Sequence, residues 1–151
     1  MRSELLQFVF YAIAHVLGGA CEELLPKVFG VGFPILLALT VSVAARRSTP
    51  AMILFALAAG AFEDALSSPP TMTSPCFFLV AALVVWRTHL AKLVLIFAYP
   101  IYEVWLAVLV PGHAGSLVAR LLMSVPIVAL TAFAVCPVFA WLERKAAVDE
   151  A

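Results

Sequence analysis

The chain has 151 residues, of which 65% are hydrophobic and only 12% are charged, and its mean hydropathy is +1.11. Soluble domains are about half apolar, so this composition is that of an integral membrane protein. Nine basic residues balance nine acidic ones, which argues against a nucleic-acid partner because such a partner requires a basic face. Cys21, Cys76 and Cys136 form no paired motif, so neither a metal site, a cofactor nor a disulfide framework is indicated.

Six apolar segments follow one another along the chain, and each is predicted to form a helix. They cover residues 5–20, 28–45, 51–66, 76–86, 93–110 and 117–141. A helix needs about 20 residues to cross the hydrocarbon core, so the short fourth segment either is re-entrant or borrows its polar flank. We expect an all-α bundle of about six transmembrane helices in residues 1–145, with five true spans as the alternative, and a short cytoplasmic tail at 146–151.

The basic residues predict how this bundle is oriented. If six helices alternate in direction, seven of the nine basic residues fall on one side: Arg2, Arg46, Arg47, Arg87, Lys92, Arg144 and Lys145. The positive-inside rule then places both termini in the cytoplasm. The outer loops at 21–32, 67–75 and 111–116 are short and rich in turn-forming residues. Since more apolar segments follow the first, we expect it to be an uncleaved helix rather than a signal peptide.

The third segment carries a face of small residues that ends in acids. Ala56, Gly60 and Asp64 recur at intervals of four, so they share one side of a helix, and small residues at this spacing let another backbone approach closely. Glu63 and Asp64 lie near the predicted outer end of this helix. Arg120 lies at a similar depth in the sixth segment, so we predict that it pairs with Asp64 or Glu63. The alternative is that Arg120 extends to the outer headgroups.

Glu103 is a further charged residue predicted to lie within the membrane. It lies roughly 10 Å from the outer end of its helix at 1.5 Å per residue, and an acid at that depth marks a functional site by default. Three roles remain open: a proton carrier, a substrate contact, or one end of an interhelical hydrogen bond to Tyr102 or His15.

Catalytic motifs are not apparent, and the chain is predicted not to be an enzyme. The stretch at 22–27 faintly resembles the EExxxR motif of CAAX-type membrane proteases through Glu22 and Glu23, but Lys27 replaces the arginine and the further histidine motifs of that family are missing. His15, His89 and His113 fall on different elements, so a metal cluster is not expected. Neither a Ser/His/Asp set nor a phosphate-binding loop is present in the sequence.

Residues 34–68 resemble the MreD family of rod shape-determining proteins. That family has Pro-Asp-Leu, an apolar run, Ala-Leu-Arg-Arg-Gly, a second apolar run, and then Gly-Leu-x-x-Asp followed by Ser-Gly. The matching residues are Pro34, Ala45, Arg46, Arg47, Gly60, Asp64 and Ser67. The sequence departs from the pattern at Ile35, which replaces an aspartate, at Ser48, which replaces a glycine, and at 68–70, where Ser-Pro-Pro replaces the glycine-rich turn.

This resemblance implies a fold similar to that of the substrate-binding subunits of energy-coupling-factor vitamin transporters. It also implies a non-enzymatic scaffold in the bacterial inner membrane that belongs to the cell-wall elongation complex. The implied partners are an MreC-like bitopic protein, MreB filaments, RodA and a class B penicillin-binding protein, besides membrane lipid; a homodimer is left open. On this interpretation the cytoplasmic basic turn is Arg46 and Arg47, and the face with Gly60 and Asp64 binds a partner's transmembrane helix.

A substrate-binding subunit of a small-molecule, vitamin-type uptake transporter is the alternative function. It predicts a pocket near the outer face that is lined by Tyr102, Glu103, Trp105 and Arg120. Such a subunit would be purified together with an ATPase module and would retain a ligand.

Overall fold

The predicted apolar segments correspond to helices in the computed structural model. The structure describes residues 2–29, 33–46, 49–67, 72–109 and 117–148. This part of the chain forms six helices: α1 (Arg2–Phe29), α2 (Ile35–Ala44), α3 (Thr49–Ser67), α4 (Thr73–Thr88), α5 (Ala91–Leu109) and α6 (Leu117–Val148). The all-α prediction is confirmed, whereas the ends of α1, α2 and α6 differ from those expected.

Helix α1 is longer than the sequence indicated. It continues through Gly18 and Gly19 to Phe29, although two adjacent glycines cost helix stability. Both glycines are buried, and a Cβ atom at Gly19 would overlap the ring of Phe62 on α3. Close packing against neighbouring helices therefore maintains the helix here, and Glu22 lies on α1 rather than in the expected outer loop.

Helix α2 is short and central. The expected segment at 28–45 is too long, because the helix begins only after Pro34; proline disfavours the helical conformation of the residue before it. Its ten residues extend about 15 Å, which is half the thickness of the hydrocarbon core. Every residue from Leu36 to Ala44 is buried, and α2 contacts all five other helices. It is therefore the core around which the bundle packs.

The outer helices present large apolar side chains to their surroundings. Exposed residues of this kind include Leu54 on α3, Val108 on α5 and Leu130 on α6. Within the described residues, three spans are long and apolar enough to cross a membrane, namely Thr49–Leu66, Ala91–Leu109 and Leu117–Leu142. An apolar surface of this extent is unfavourable in water but matches the hydrocarbon of a bilayer. The fold is therefore that of a helical membrane protein.

Candidate functional site

The small-residue face of α3 packs against α4 of the same chain. Ala56 and Gly60 are buried, and a Cβ atom at Gly60 would lie 2.7 Å from the carbonyl carbon of Ser74 and would overlap the backbone of Pro75. The close backbone approach that the spacing predicts is therefore present. The helix that packs on this face is not the one expected: it is α4 of the same chain, whereas we predicted a partner's transmembrane helix.

Asp64 stabilises the start of α4. The backbone N–H of Ser74 donates to Oδ1 of Asp64 at 2.9 Å, and Ser74 is the second residue of α4. The first four amides of a helix have no partner within the helix, and its N-terminus favours negative charge. The Ser74 hydroxyl also forms a hydrogen bond with the hydroxyl of Tyr102. This chain of contacts joins α3, α4 and α5.

Glu22 makes the equivalent contact at the start of α2. The backbone N–H of Leu36 donates to Oε2 of Glu22 at 3.3 Å, and Leu36 is the second residue of α2. The carboxyl groups of Glu22 and Glu63 also lie close enough to interact. The pair therefore connects α1, α2 and α3.

Glu103 pairs with Arg120 across α5 and α6. The Nε atom of Arg120 lies 3.6 Å from Oε2 of Glu103, and Glu103 is only 9% exposed. The side chain of Tyr99, one turn earlier on α5, lies close enough to Glu103 for the two to interact. We predicted Asp64 or Glu63 as the partner of Arg120; the ion pair described here is with Glu103.

Together these groups form one polar centre that connects all six helices. We use the name for Glu22, Glu63, Asp64, Ser74, Tyr99, Tyr102, Glu103 and Arg120. Glu63 lies in its middle, close enough to Asp64, Glu103 and Tyr102 for their charges to interact. Polar groups inside a membrane protein need internal partners, and in the polar centre each helix supplies partners for its neighbours.

The other predicted residues lie away from the polar centre. The ring nitrogens of His15 lie 2.7 and 3.3 Å from the carbonyl oxygens of Tyr11 and Phe55, so its hydrogen bonds are to the backbone of α1 and α3, not to Glu103. Arg46 is exposed; its Nε–H donates to the Ser42 carbonyl at 3.1 Å. Arg47, His113 and the side chain of Ser67 lie outside the described residues.

The residues predicted to line a substrate pocket do not all come together. Tyr102 and Glu103 are buried in the polar centre, whereas Trp105 lies on the outer surface of α5 and is 46% exposed. Two residues further along a helix correspond to a rotation of about 200°, so Glu103 and Trp105 point in nearly opposite directions. The tryptophan therefore faces the surroundings of the bundle.

Two cavities in the described part of the chain are almost wholly apolar. One lies between α4 and α5 beside Phe77 and Phe97, with a volume of about 310 Å³. The other lies between α1 and α6 beside Leu17 and Val138, with a volume of about 450 Å³. Neither is lined by a residue of the polar centre, so its acids act within the bundle rather than in these cavities.

Sequence reasoning missed three members of the polar centre: Glu22, Ser74 and Tyr99. Glu22 was assigned to a loop, although its spacing of four from Gly18 continues the buried side of α1. Tyr99 lies four residues before Glu103, a spacing that places both on one side of a helix. For Ser74 the sequence shows only a hydroxyl-bearing residue before an apolar run, which does not indicate a role in a polar site.

The described residues contain no group of three or more His, Cys, Asp or Glu side chains placed to hold a metal ion. Comparisons with protein-family models, with curated proteins and with solved structures find no match for this chain.

Proposed function

We propose that this protein is a non-enzymatic integral membrane scaffold of the bacterial cell-wall elongation complex. The observation that carries the proposal is the polar centre, in which the charged residues bind other helices of the same chain. The ionic groups hold the helices of this bundle together, so its apolar outer surface is the part that can bind partners. Binding other membrane proteins through that surface is what a scaffold does.

The wall-elongation assignment depends on the MreD-like pattern of residues 34–68. Three of its residues have structural roles in this fold: Pro34 precedes the central helix α2, Gly60 allows α3 and α4 to approach, and Asp64 accepts the hydrogen bond at the start of α4. A pattern whose members determine helix packing specifies a fold rather than a catalytic site. On this proposal the chain lies in the inner membrane with both termini in the cytoplasm.

The partners follow from the same resemblance. We propose that the chain binds an MreC-like bitopic protein and links MreB filaments to RodA and a class B penicillin-binding protein. Since α4 covers the face with Ala56 and Gly60, the surfaces open to a partner's transmembrane helix are the lipid-facing sides of the outer helices.

Affinity purification tests this proposal. The tagged protein is extracted from native membranes in mild detergent, and the proteins and small molecules recovered with it are identified by mass spectrometry. We expect an MreC-like protein or a wall synthase. An unrelated multi-pass membrane protein of similar length, with the same tag, is the control. Recovery of none of these partners above the control would refute the scaffold.

Site-specific photo-crosslinking then identifies the docking surface. A photoreactive amino acid replaces one exposed residue at a time, at Leu54 on α3, Val108 on α5 or Leu130 on α6; these side chains are 64%, 78% and 61% exposed. The three positions are matched in exposure and differ in the helix that carries them. A docked partner is expected to be captured from one side of the bundle only, whereas equal capture at all three would mean random collision.

A substrate-binding transporter subunit is the second candidate function. One observation favours it, since an ion pair and further carboxyl groups inside a membrane bundle are also typical of substrate and ion pathways. The same purification separates the two functions. Recovery of an ATPase module, or of a small molecule in equal molar amount, would replace the scaffold by the transporter subunit.

A further inference from the structure

A surface groove separates α1 from α6 and reaches the central helix α2 at Ile35 and Leu39. We call it the α1/α6 groove; its lining includes Phe10, Leu17 and Cys21 of α1, Leu39 of α2, and Val138 and Phe139 of α6. It is almost wholly apolar and has a volume of about 450 Å³. In a bilayer, a groove of this composition is filled by hydrocarbon, either from a lipid or from another helix.

The α1/α6 groove has the length and the lining of a site for a hydrocarbon chain. Phe10 and Cys21 mark its two ends on α1 and are eleven residues apart, about 16 Å of helix. The lining is apolar along that length, and an extended acyl chain needs only apolar contacts along its length.

Charge distinguishes the two ends of the α1/α6 groove. At one end Phe10 stacks on Phe139 with ring centroids 5.5 Å apart, and the guanidinium carbon of the exposed Arg46 lies 5.9 Å from the centroid of Phe139. The lining residues at the other end, near Cys21, are apolar. An anionic group is favoured beside Arg46, so this cation sets the direction in which a lipid enters.

We propose that the α1/α6 groove binds one acyl chain of an anionic phospholipid whose phosphate contacts Arg46. A guanidinium presents several donors in a planar fork that matches phosphate oxygens. The predicted orientation places Arg46 at the cytoplasmic face, where anionic lipids attract basic residues. The lipid fills the gap between α1 and α6 and contacts α2 at Ile35 and Leu39.

Native mass spectrometry of the full chain in detergent tests the proposal with two lipids of identical acyl chains, phosphatidylglycerol and phosphatidylcholine. We expect the wild type to bind phosphatidylglycerol more tightly. Arg46→Gln should lower that affinity about tenfold and should lower phosphatidylcholine binding less, because the choline cation offsets the charge of its phosphate. Arg46→Lys should retain most of the affinity for phosphatidylglycerol. Val138→Trp fills the groove and should abolish both adducts. Leu130→Trp is the matched control on an equally exposed part of α6 outside the groove, and it should bind like wild type.

Three results would overturn this assignment. They are equal affinity of the wild type for the two lipids, unchanged binding by Arg46→Gln, and equal adducts for Val138→Trp and Leu130→Trp. A photoreactive residue at Val138 in native membranes gives an independent measurement. Capture of a lipid is the expected result, and capture of a protein would assign the groove to a partner's helix instead.

Discussion

Asp64 and Glu22 have the same role on two different helices. Each carboxylate accepts a hydrogen bond from the second backbone amide of a neighbouring helix, Asp64 from Ser74 of α4 and Glu22 from Leu36 of α2. Free amides at a helix start carry partial positive charge, and inside a bilayer they lack the water that would otherwise satisfy them. Each of these partly buried acids is therefore stabilised by the helix start, and the helix start by the acid.

The hydrogen bond of Asp64 can be tested by comparing two substitutions. Asp64→Ala removes the acceptor and should lower the free energy of unfolding by about 1–2 kcal/mol. Asp64→Asn keeps an oxygen at the position of Oδ1. Since Oδ2 makes no hydrogen bond, the asparagine should cost clearly less. Denaturant unfolding of the detergent-purified protein, followed by circular dichroism, measures both values. Equal losses for alanine and asparagine would mean that the charge, not the hydrogen bond, provides the stability.

At the scale of the helices, the close approach of α3 and α4 depends on Gly60. A Cβ atom at this position would overlap the backbone of Pro75, and backbone cannot move aside as a side chain can. Gly60→Ala should therefore force the two helices apart and destabilise the fold by about 1–3 kcal/mol. The same unfolding measurement tests this expectation. It would be contradicted by a Gly60→Ala protein as stable as wild type.

The matched control for Gly60 is its neighbour on the same helix. Ala61 is exposed, so Ala61→Leu adds more volume than Gly60→Ala but adds it on the outer surface. We expect little change in stability for this control. Loss of stability in both variants alike would point to a general effect of added bulk on α3 rather than to its contact with α4.

The sequence predicted the helices better than it predicted their ends. Hydropathy located six apolar segments because burial and lipid exposure both select apolar side chains. Hydropathy could not show that α2 lies buried at the centre of the bundle, since a helix buried in protein is as apolar as one exposed to lipid. Gly18 and Gly19 indicated that α1 ends there, but α1 continues through both. Their lack of a side chain lets α1 pack closely against α2 at Leu39 and against α3 at Phe62.

The sequence indicated several residues of the polar centre, but it did not indicate which of them contact each other. Asp64, Glu103 and Arg120 were identified because charge is rare in membrane segments. Depth alone was used to pair Arg120 with the acids of α3. In the fold α6 packs mainly on α5 and α2, whereas α3 packs mainly on α4. The order in which helices neighbour one another is set by tertiary packing, so the partner of Arg120, Glu103, became visible only in the structure.

At the scale of the whole molecule, the charges at the loops predict one orientation in the membrane. Seven of nine basic residues flank the predicted cytoplasmic side, and positively charged loops are retained in the cytoplasm. Cysteine labelling tests this in a variant in which Cys21, Cys76 and Cys136 are replaced by alanine. A single cysteine is then introduced as His113→Cys or as Ser48→Cys, and intact cells are treated with a membrane-impermeant maleimide.

The two introduced cysteines should report opposite sides. His113→Cys should react in intact cells, and Ser48→Cys should react only after the membrane is permeabilised. Adding Arg46→Ala and Arg47→Ala removes two of the seven cytoplasmic charges. The five that remain, at both ends of the chain and in the second cytoplasmic turn, still outweigh Lys27, so the labelling pattern should not change. Labelling of both cysteines from outside would rule out an odd number of spans between them. Labelling in the reversed order would rule out cytoplasmic termini. The sign of the loop charge would then not determine how this bundle is inserted.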